Sequence, residues 1–257
     1  MNSLISRHLR LKQLLKELAP LAVAFSGGAD SSLLLKVAYN TLGAGCIAVT
    51  VDAPYHFRQE IDDAARFAEQ LGVKHLIIPF DPAAVPGLFN NPPDRCYLCK
   101  KAMLNLCHAF CSLPLIDGST RDDQTAHRPG RRALQELGVR SPLDEAGFSK
   151  QDIRNLGREL GLTAWDKPAQ SCLLTRFPLG YQISYKDLLR VEKCERMIKG
   201  LGFSVVRARS LEDTARIETE DPEQAQAMFR KIEQLCRQAG FTTVEIDPAG
   251  YRCGLFT

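Results

Sequence analysis

The sequence predicts an α/β fold with a parallel sheet, followed by a small α+β domain. Three observations predict it. The first two thirds alternate short apolar strands with helices, which is the pattern of a parallel sheet covered on both faces. The last third changes rhythm to helix, strand, strand, helix, strand. A glycine-rich turn joins the first strand to the helix after it, which marks a phosphate-binding corner in such sheets.

The elements follow in order. Residues 1–18, MNSLISRHLRLKQLLKEL, place Leu4, Leu11, Leu14, Leu15 and Leu18 at helical spacing with Lys and Arg between them. They lack the compact apolar block and small-residue cleavage site of a signal peptide, so an amphipathic helix of a cytoplasmic protein is expected. LAVAFS (21–26) is a strand, DSSLLLKVAYNTL a helix, GCIAVTVD a strand, RQEIDDAARFAEQLG a helix closed by Gly72, and VKHLIIPF a third strand. LPLIDGS is a fourth strand, and helices are expected at about 124–137 and 149–160, the second with Ser149 and Asp152 in a capping arrangement. The final third reads SYKDLLRVEKCERMIKGLG as helix, FSVVRAR and TARIETE as strands, DPEQAQAMFRKIEQLCRQAG as helix and FTTVEID as strand. The boundary is expected near Pro178–Ser184, giving domains 1–180 and 181–257.

Composition narrows the class. The 257 residues are 45% apolar, enough for a substantial core, and no apolar run is long enough to span a membrane. Net charge is +3, far from the basic excess of a dedicated nucleic-acid binder. Nine cysteines in a chain with no signal peptide read as thiols, ligands or core residues rather than disulfides.

AFSGGADSS is the most specific motif. Ser26, Gly27 and Gly28 let the backbone approach an anion, and the helix behind them aims N–H groups and its positive dipole end at that anion. Asp30 can cap the helix or hold Mg²⁺, and Ser31 can donate to phosphate. The motif is not a Walker loop, since the Lys that follows the last Walker glycine is absent. DGSTRDD lies where the fourth strand ends, at the carboxyl edge where ligands of open parallel sheets bind. Asp117, Asp122 and Asp123 are therefore candidates to meet a nucleotide or Mg²⁺. Arg128, Arg131 and Arg132 are candidate phosphate contacts, or simply a solvated helix start.

The cysteines divide by context. Cys96 and Cys99, three apart near a helix start, can face one site and ionise readily there. Alone they are also half a zinc site, because structural zinc wants four ligands. Cys107 and Cys111 lie about two and three turns beyond Cys99, too far for one ion, and read as core. Cys172 sits in WDKPAQSCLLTRFPLG, a loop by chemistry with little to pack. Arg207 and Arg209 alternate on VVRAR and so share a sheet face. Arg216 and Glu218 do the same on ARIET.

These motifs carry a resemblance. AFSGGADSS resembles the pyrophosphate loop of the PP-loop ATP pyrophosphatases (the adenine nucleotide α-hydrolase-like fold), which cleave ATP between the α and β phosphates. SGGADSSLL, RCYLCK, DGSTRDD, WDKPAQSCLLTRFPLG, VRAR, ARIE and GYRCG stand in an order that resembles the LarE family. Those are ATP-dependent sulfur transferases of nickel-pincer nucleotide synthesis. The resemblance implies adenylation of a carboxylate of pyridinium-3,5-biscarboxylic acid mononucleotide, with ATP and Mg²⁺, followed by replacement of oxygen by sulfur. It implies that Cys172 either gives up its own sulfur or joins Cys96 and Cys99 as the third thiolate of a 4Fe-4S cluster, and the presence of all three favours the cluster. It further implies that Arg176 stabilises the thiolate or binds substrate. Arg207 and Arg209 would hold the substrate's phosphate with Glu195 nearby, the small domain would bind substrate and pair subunits, and the protein would be a homo-oligomer. Thr120 departs from the Asn frequent at its place, and Cys253 has no assigned role. A tRNA thiolase, an amide-forming PP-loop ligase and a nucleotide sensor with a zinc site are the competing readings. Near-neutral charge argues against the first, and the second leaves the cysteines idle.

Overall fold

The computed structural model describes residues 3–124, 129–167 and 170–252. The chain divides into two compact units, Met1–Asp81 with Cys96–Gln170, and Pro82–Arg95 with Ser171–Thr257.

The first unit holds α1 (Ser3–Leu18), β1 (Leu21–Ala24), α2 (Ala29–Leu42), β2 (Cys46–Asp52), α3 (Arg58–Leu71) and β3 (Lys74–Pro79). After an excursion come α4 (Arg95–Phe110), β4 (Leu115–Ile116), α5 (Gly130–Glu136), α6 (Pro142–Glu145) and α7 (Lys150–Glu159). The four strands form one sheet in the order β3-β2-β1-β4, all parallel. Residues alternating along β1 explain why helices cover both faces. Leu21 and Val23 join Leu11, Leu15, Leu34 and Leu156 in one core, while Ala22 joins Leu104, Cys107 and Leu134 in the other. Local chemistry sets the ends: Gly72 closes α3 in the left-handed conformation at φ 75°, and Ser149 and Asp152 form a reciprocal capping box that starts α7.

The fourth strand is shorter than the sequence suggests. The fourth strand keeps only two residues, because Asp117 turns its carboxylate to side-chain partners and Gly118 turns against α2. Of the expected 124–137 helix, the described residues show α5, and residues 125–128 lie outside those described.

The second unit holds α8 (Tyr185–Lys199), β5 (Val206–Leu211), β6 (Thr214–Thr219), α9 (Pro222–Ala227), α10 (Phe229–Ala239) and β7 (Thr243–Ile246). The one helix expected over 221–240 is two, broken at Met228. The sheet runs β5-β6-β7, antiparallel then parallel. The early stretch 82–95 belongs here, and so does 171–180, on the far side of a boundary drawn at 180. Backbone hydrogen bonds tie the stretch in, from Gly180 to the Asn91 carbonyl at 3.0 Å and from Ile183 to the Phe89 carbonyl at 2.7 Å. The Asn91 amide also donates to the carbonyls of Phe177 and Pro178. Among the described residues, no helix is long and apolar enough to cross a membrane.

Candidate active site

The loop between β1 and α2 is built to leave a helix end open. Gly27 takes φ 74°, a left-handed conformation that suits glycine. A Cβ there would lie 3.1 Å from the Ala64 Cβ. Gly28 caps α2 in an extended conformation and brings no side chain, so the first turn receives no side-chain acceptor. The Ser31 hydroxyl knits the loop, donating to the Gly28 carbonyl at 3.2 Å and meeting Ser26 Oγ at 3.1 Å. This matches the P-loop logic of an anion seated on helix N–H groups. A cleft of 470 Å³ opens beside it, walled partly by Gly27, Ser32, Phe67 and Gln70, within the size range of ligand pockets.

The acidic residues of DGSTRDD have separate duties. Asp117 is buried and accepts from Lys100 Nζ at 2.9 Å, Ser119 Oγ at 2.8 Å and Ser141 Oγ at 2.6 Å. Burial pushes its carboxyl up, but the Lys100 ammonium and the two hydroxyls more than offset this and hold it below the ordinary range. These bonds fix the carboxylate at the end of β4. Asp122 accepts from the Lys150 backbone N–H at 2.7 Å, at the start of α7. Asp123, 3% exposed, accepts from the N–H and hydroxyl of Thr120, which gives Thr120 the task of holding that carboxylate. Asp30 is not a cap. It pairs with Lys150 Nζ at 2.5 Å, and the same ammonium lies 3.4 Å from Asp123. Two carboxylates thus converge on one cation, which fits Mg²⁺, an ion that takes one or two carboxylates beside phosphate oxygens. Lys150 escaped the sequence reading. Its signal was present, because a cation in the first turn of a helix opposes the dipole and calls for an acid partner.

Two arginines of RPGRR have carboxylate partners. Arg131 pairs with Asp144 at 3.1 Å and Arg132 with Glu136 at 2.7 Å. Arg128 lies outside the described residues, as does Cys253.

Cys96 is exposed and Cys99 buried on the first turns of α4. The Cys99 sulfur lies 2.9 Å from the Tyr55 hydroxyl. Cys107 is core as expected, its thiol pushed up to about 11, chiefly by burial. Cys172 belongs to the second unit. It caps a 3-10 helix over Leu173–Arg176 and is partly exposed. Within neither unit do three or more His, Cys, Asp or Glu side chains gather to hold a metal ion, among the described residues.

Arg176 meets its neighbours through carbonyls, the hydroxyls of Ser171 and Thr175, and a carboxylate. It binds Glu195 through two nitrogens at 2.7 and 3.1 Å and the carbonyls of Ser171 and Cys172 at 3.1 and 3.2 Å. Both partners of the ion pair have no exposed side-chain surface. Arg176 therefore braces the loop that carries Cys172. Arg209 forms a two-pronged pair with Glu218 at 2.9 and 2.8 Å and reaches the Thr175 carbonyl. Arg207 lies over the Tyr251 ring, 4.9 Å from its centre. Burial, helped by Arg176 nearby, pulls its guanidinium below the ordinary value. Three buried guanidinium groups thus stand together with the carboxylates of Glu195 and Glu218. Arg216 is on the same face but half exposed, 3.8 Å from Glu245.

Comparison with known proteins places the chain. A family model described as asparagine synthase matches residues 11–96, the segment that contains the loop. The pyridinium-3,5-bisthiocarboxylic acid mononucleotide synthase of Lactiplantibacillus plantarum is 35% identical over 263 residues, covering 99% of this chain and 95% of that protein. An uncharacterised protein of Synechocystis is 39% identical over 253 residues, covering 95% and 94%. A tRNA-specific 2-thiouridylase of Methylobacterium nodulans is 30% identical over 189 residues, covering 57% of this chain and 49% of that protein. Open glycine loop, paired acids and full-length likeness agree: the chain belongs to the LarE-type family of ATP-dependent sulfur transferases, within the PP-loop superfamily.

Proposed function

We propose that this protein adenylates a carboxylate of pyridinium-3,5-biscarboxylic acid mononucleotide and replaces an oxygen by sulfur. The observation that carries the reading is the open end of α2 behind Gly27 and Gly28, in a chain alignable end to end with a synthase of the bisthiocarboxylic product.

A carboxylate resists substitution because oxide is a poor leaving group. The substrate oxygen attacks the α-phosphorus of ATP, and pyrophosphate departs onto the loop amides. A sulfur nucleophile then attacks the acyl carbon and AMP leaves, carrying the substrate's oxygen. Mg²⁺, when bound at Asp30 with Asp123 beside it, would neutralise the departing pyrophosphate. The guanidinium groups of Arg176, Arg207 and Arg209 suit the substrate's own phosphate, with Glu195 and Glu218 fixing two of the three guanidinium planes. The small domain binds substrate in this reading and also joins copies of the chain into an oligomer, and nucleic acid has no part in the reaction.

Cys172 stands at the sulfur step. The count of three thiols favours a cluster held by Cys96, Cys99 and Cys172. That reading rests on the motif, and no step is assigned to a cluster. The sacrificial alternative has the Cys172 thiolate form the thioester and then lose its Cβ–S bond by elimination of the α-proton, leaving dehydroalanine.

Two measurements test the whole. With substrate labelled by ¹⁸O in its carboxylates, single-turnover AMP should carry the label, and release of ADP and phosphate instead would end the proposal. Intact mass after turnover identifies the donor: loss of H₂S at Cys172 assigns the sacrificial route. An unchanged mass, with iron and sulfide bound after anaerobic reconstitution and lost in Cys96→Ser, assigns the cluster.

A further inference from the structure

Beside the nucleotide loop, one ammonium is shared by two carboxylates. Lys150 opens α7, where a cation opposes the helix dipole. Its backbone N–H is held by Asp122, while its ammonium reaches Asp30 in the first turn of α2, 120 residues away in sequence. Asp123 approaches the same ammonium from the turn after β4. The buried Asp123 is itself fixed by Thr120. Lys150 is 37% exposed at its side chain and Asp30 31%, so the pair faces solvent rather than the core.

Two carboxylates beside the loop repel a polyphosphate. The Lys150 ammonium cuts their charge from two negatives to one. We propose that Lys150 is a nucleotide-binding residue that exchanges partners: it holds Asp30 while the loop is empty, and turns to phosphate oxygens when a magnesium nucleotide arrives and the cation takes Asp30. The proposal rests on the reading of the loop as a nucleotide site. It explains why a lysine stands where helix chemistry disfavours one. It also supplies the cation that this loop lacks relative to a Walker loop, from a helix distant in sequence.

Calorimetric titration of the whole chain with Mg²⁺ and α,β-methylene ATP tests it, because that analogue cannot be cleaved between the α and β phosphates. Lys150→Met should raise Kd at least about tenfold, and Lys150→Arg, which keeps the charge, should stay within about threefold of the parent. Melting temperature recorded alongside separates a merely structural role, which would lower Tm and leave Kd unchanged. Equal Kd for the parent and a folded Lys150→Met overturns the proposal. Absence of binding by the parent overturns the loop reading instead. A second measurement needs no variant: acetylation of the parent, mapped by peptide mass, should slow severalfold at Lys150 when the analogue is bound, and an unchanged rate overturns the proposal.

Discussion

At the scale of single residues, the Arg176–Glu195 pair shows how charge can serve architecture. A buried ion pair is not itself strong evidence of stability, because both ions lose their water. Breaking it is another matter. Glu195 also accepts the Ala208 N–H at 2.9 Å, so Glu195→Ala leaves a buried guanidinium uncompensated and a strand N–H without that acceptor. The variant should lose about 3–5 kcal/mol of stability in urea unfolding, and the loop carrying Cys172 should become sensitive to proteolysis. A loss under about 1 kcal/mol would mean that the pair does not order the loop. Cys194 and Cys236 form another buried contact, with sulfurs 3.1 Å apart, and the hydrogen bond to Cys236, with burial after it, pushes the Cys194 thiol well up. They serve as small core residues between α8 and α10 and take no part in the chemistry proposed.

At the scale of elements, the site depends on how closely the end of β4 approaches α2. A Cβ at Gly118 would lie 3.0 Å from the Ser31 nitrogen and 3.1 Å from its Cα. Both are backbone atoms with little freedom to yield. Gly118→Ala should therefore push the turn off the helix end, costing about 1–3 kcal/mol and weakening nucleotide binding at least about tenfold. Gly138→Ala is the control. No atom lies within 4 Å of its Cβ position, and only its φ of 65° is strained, so it should cost about 1 kcal/mol and leave nucleotide affinity unchanged. Equal effects of the two variants on affinity would sink the claim that this contact shapes the loop.

At the scale of the whole molecule, buried titratable groups make stability depend on pH in one direction. Burial lowers the imidazoles of His56 and His75 below their ordinary 6.5. The unfolded chain then takes up protons first as pH falls below 6.5, so this stability is full above that value and is lost on acidification. The lowered carboxyl of Asp117, whose ordinary value is 3.8, contributes stability that is full above 3.8 and is lost as pH falls through its folded value. Urea midpoints measured from pH 7 down to pH 3 should decline in two steps. His56→Gln should flatten the upper step, and a stability maximum near pH 5 would contradict this direction.

Much of this was legible in the sequence, and what was not has a physical cause. The strands, most helices, the capping box at Ser149 and the open glycine loop follow from periodicity and cap chemistry, which act over a few residues. The sequence by itself determined the parallel sheet, the loop after β1 and the order of motifs that reveals the family. Only the tertiary structure decided where charges go. It gave Asp117 to Lys100, Asp30 to Lys150, Arg176 to Glu195 and Arg209 to Glu218. It also assigned residues 82–95 to the second unit. An ion pair forms between groups brought within a few ångströms by the packing of distant elements, and a pattern read over a few residues carries no trace of that distance.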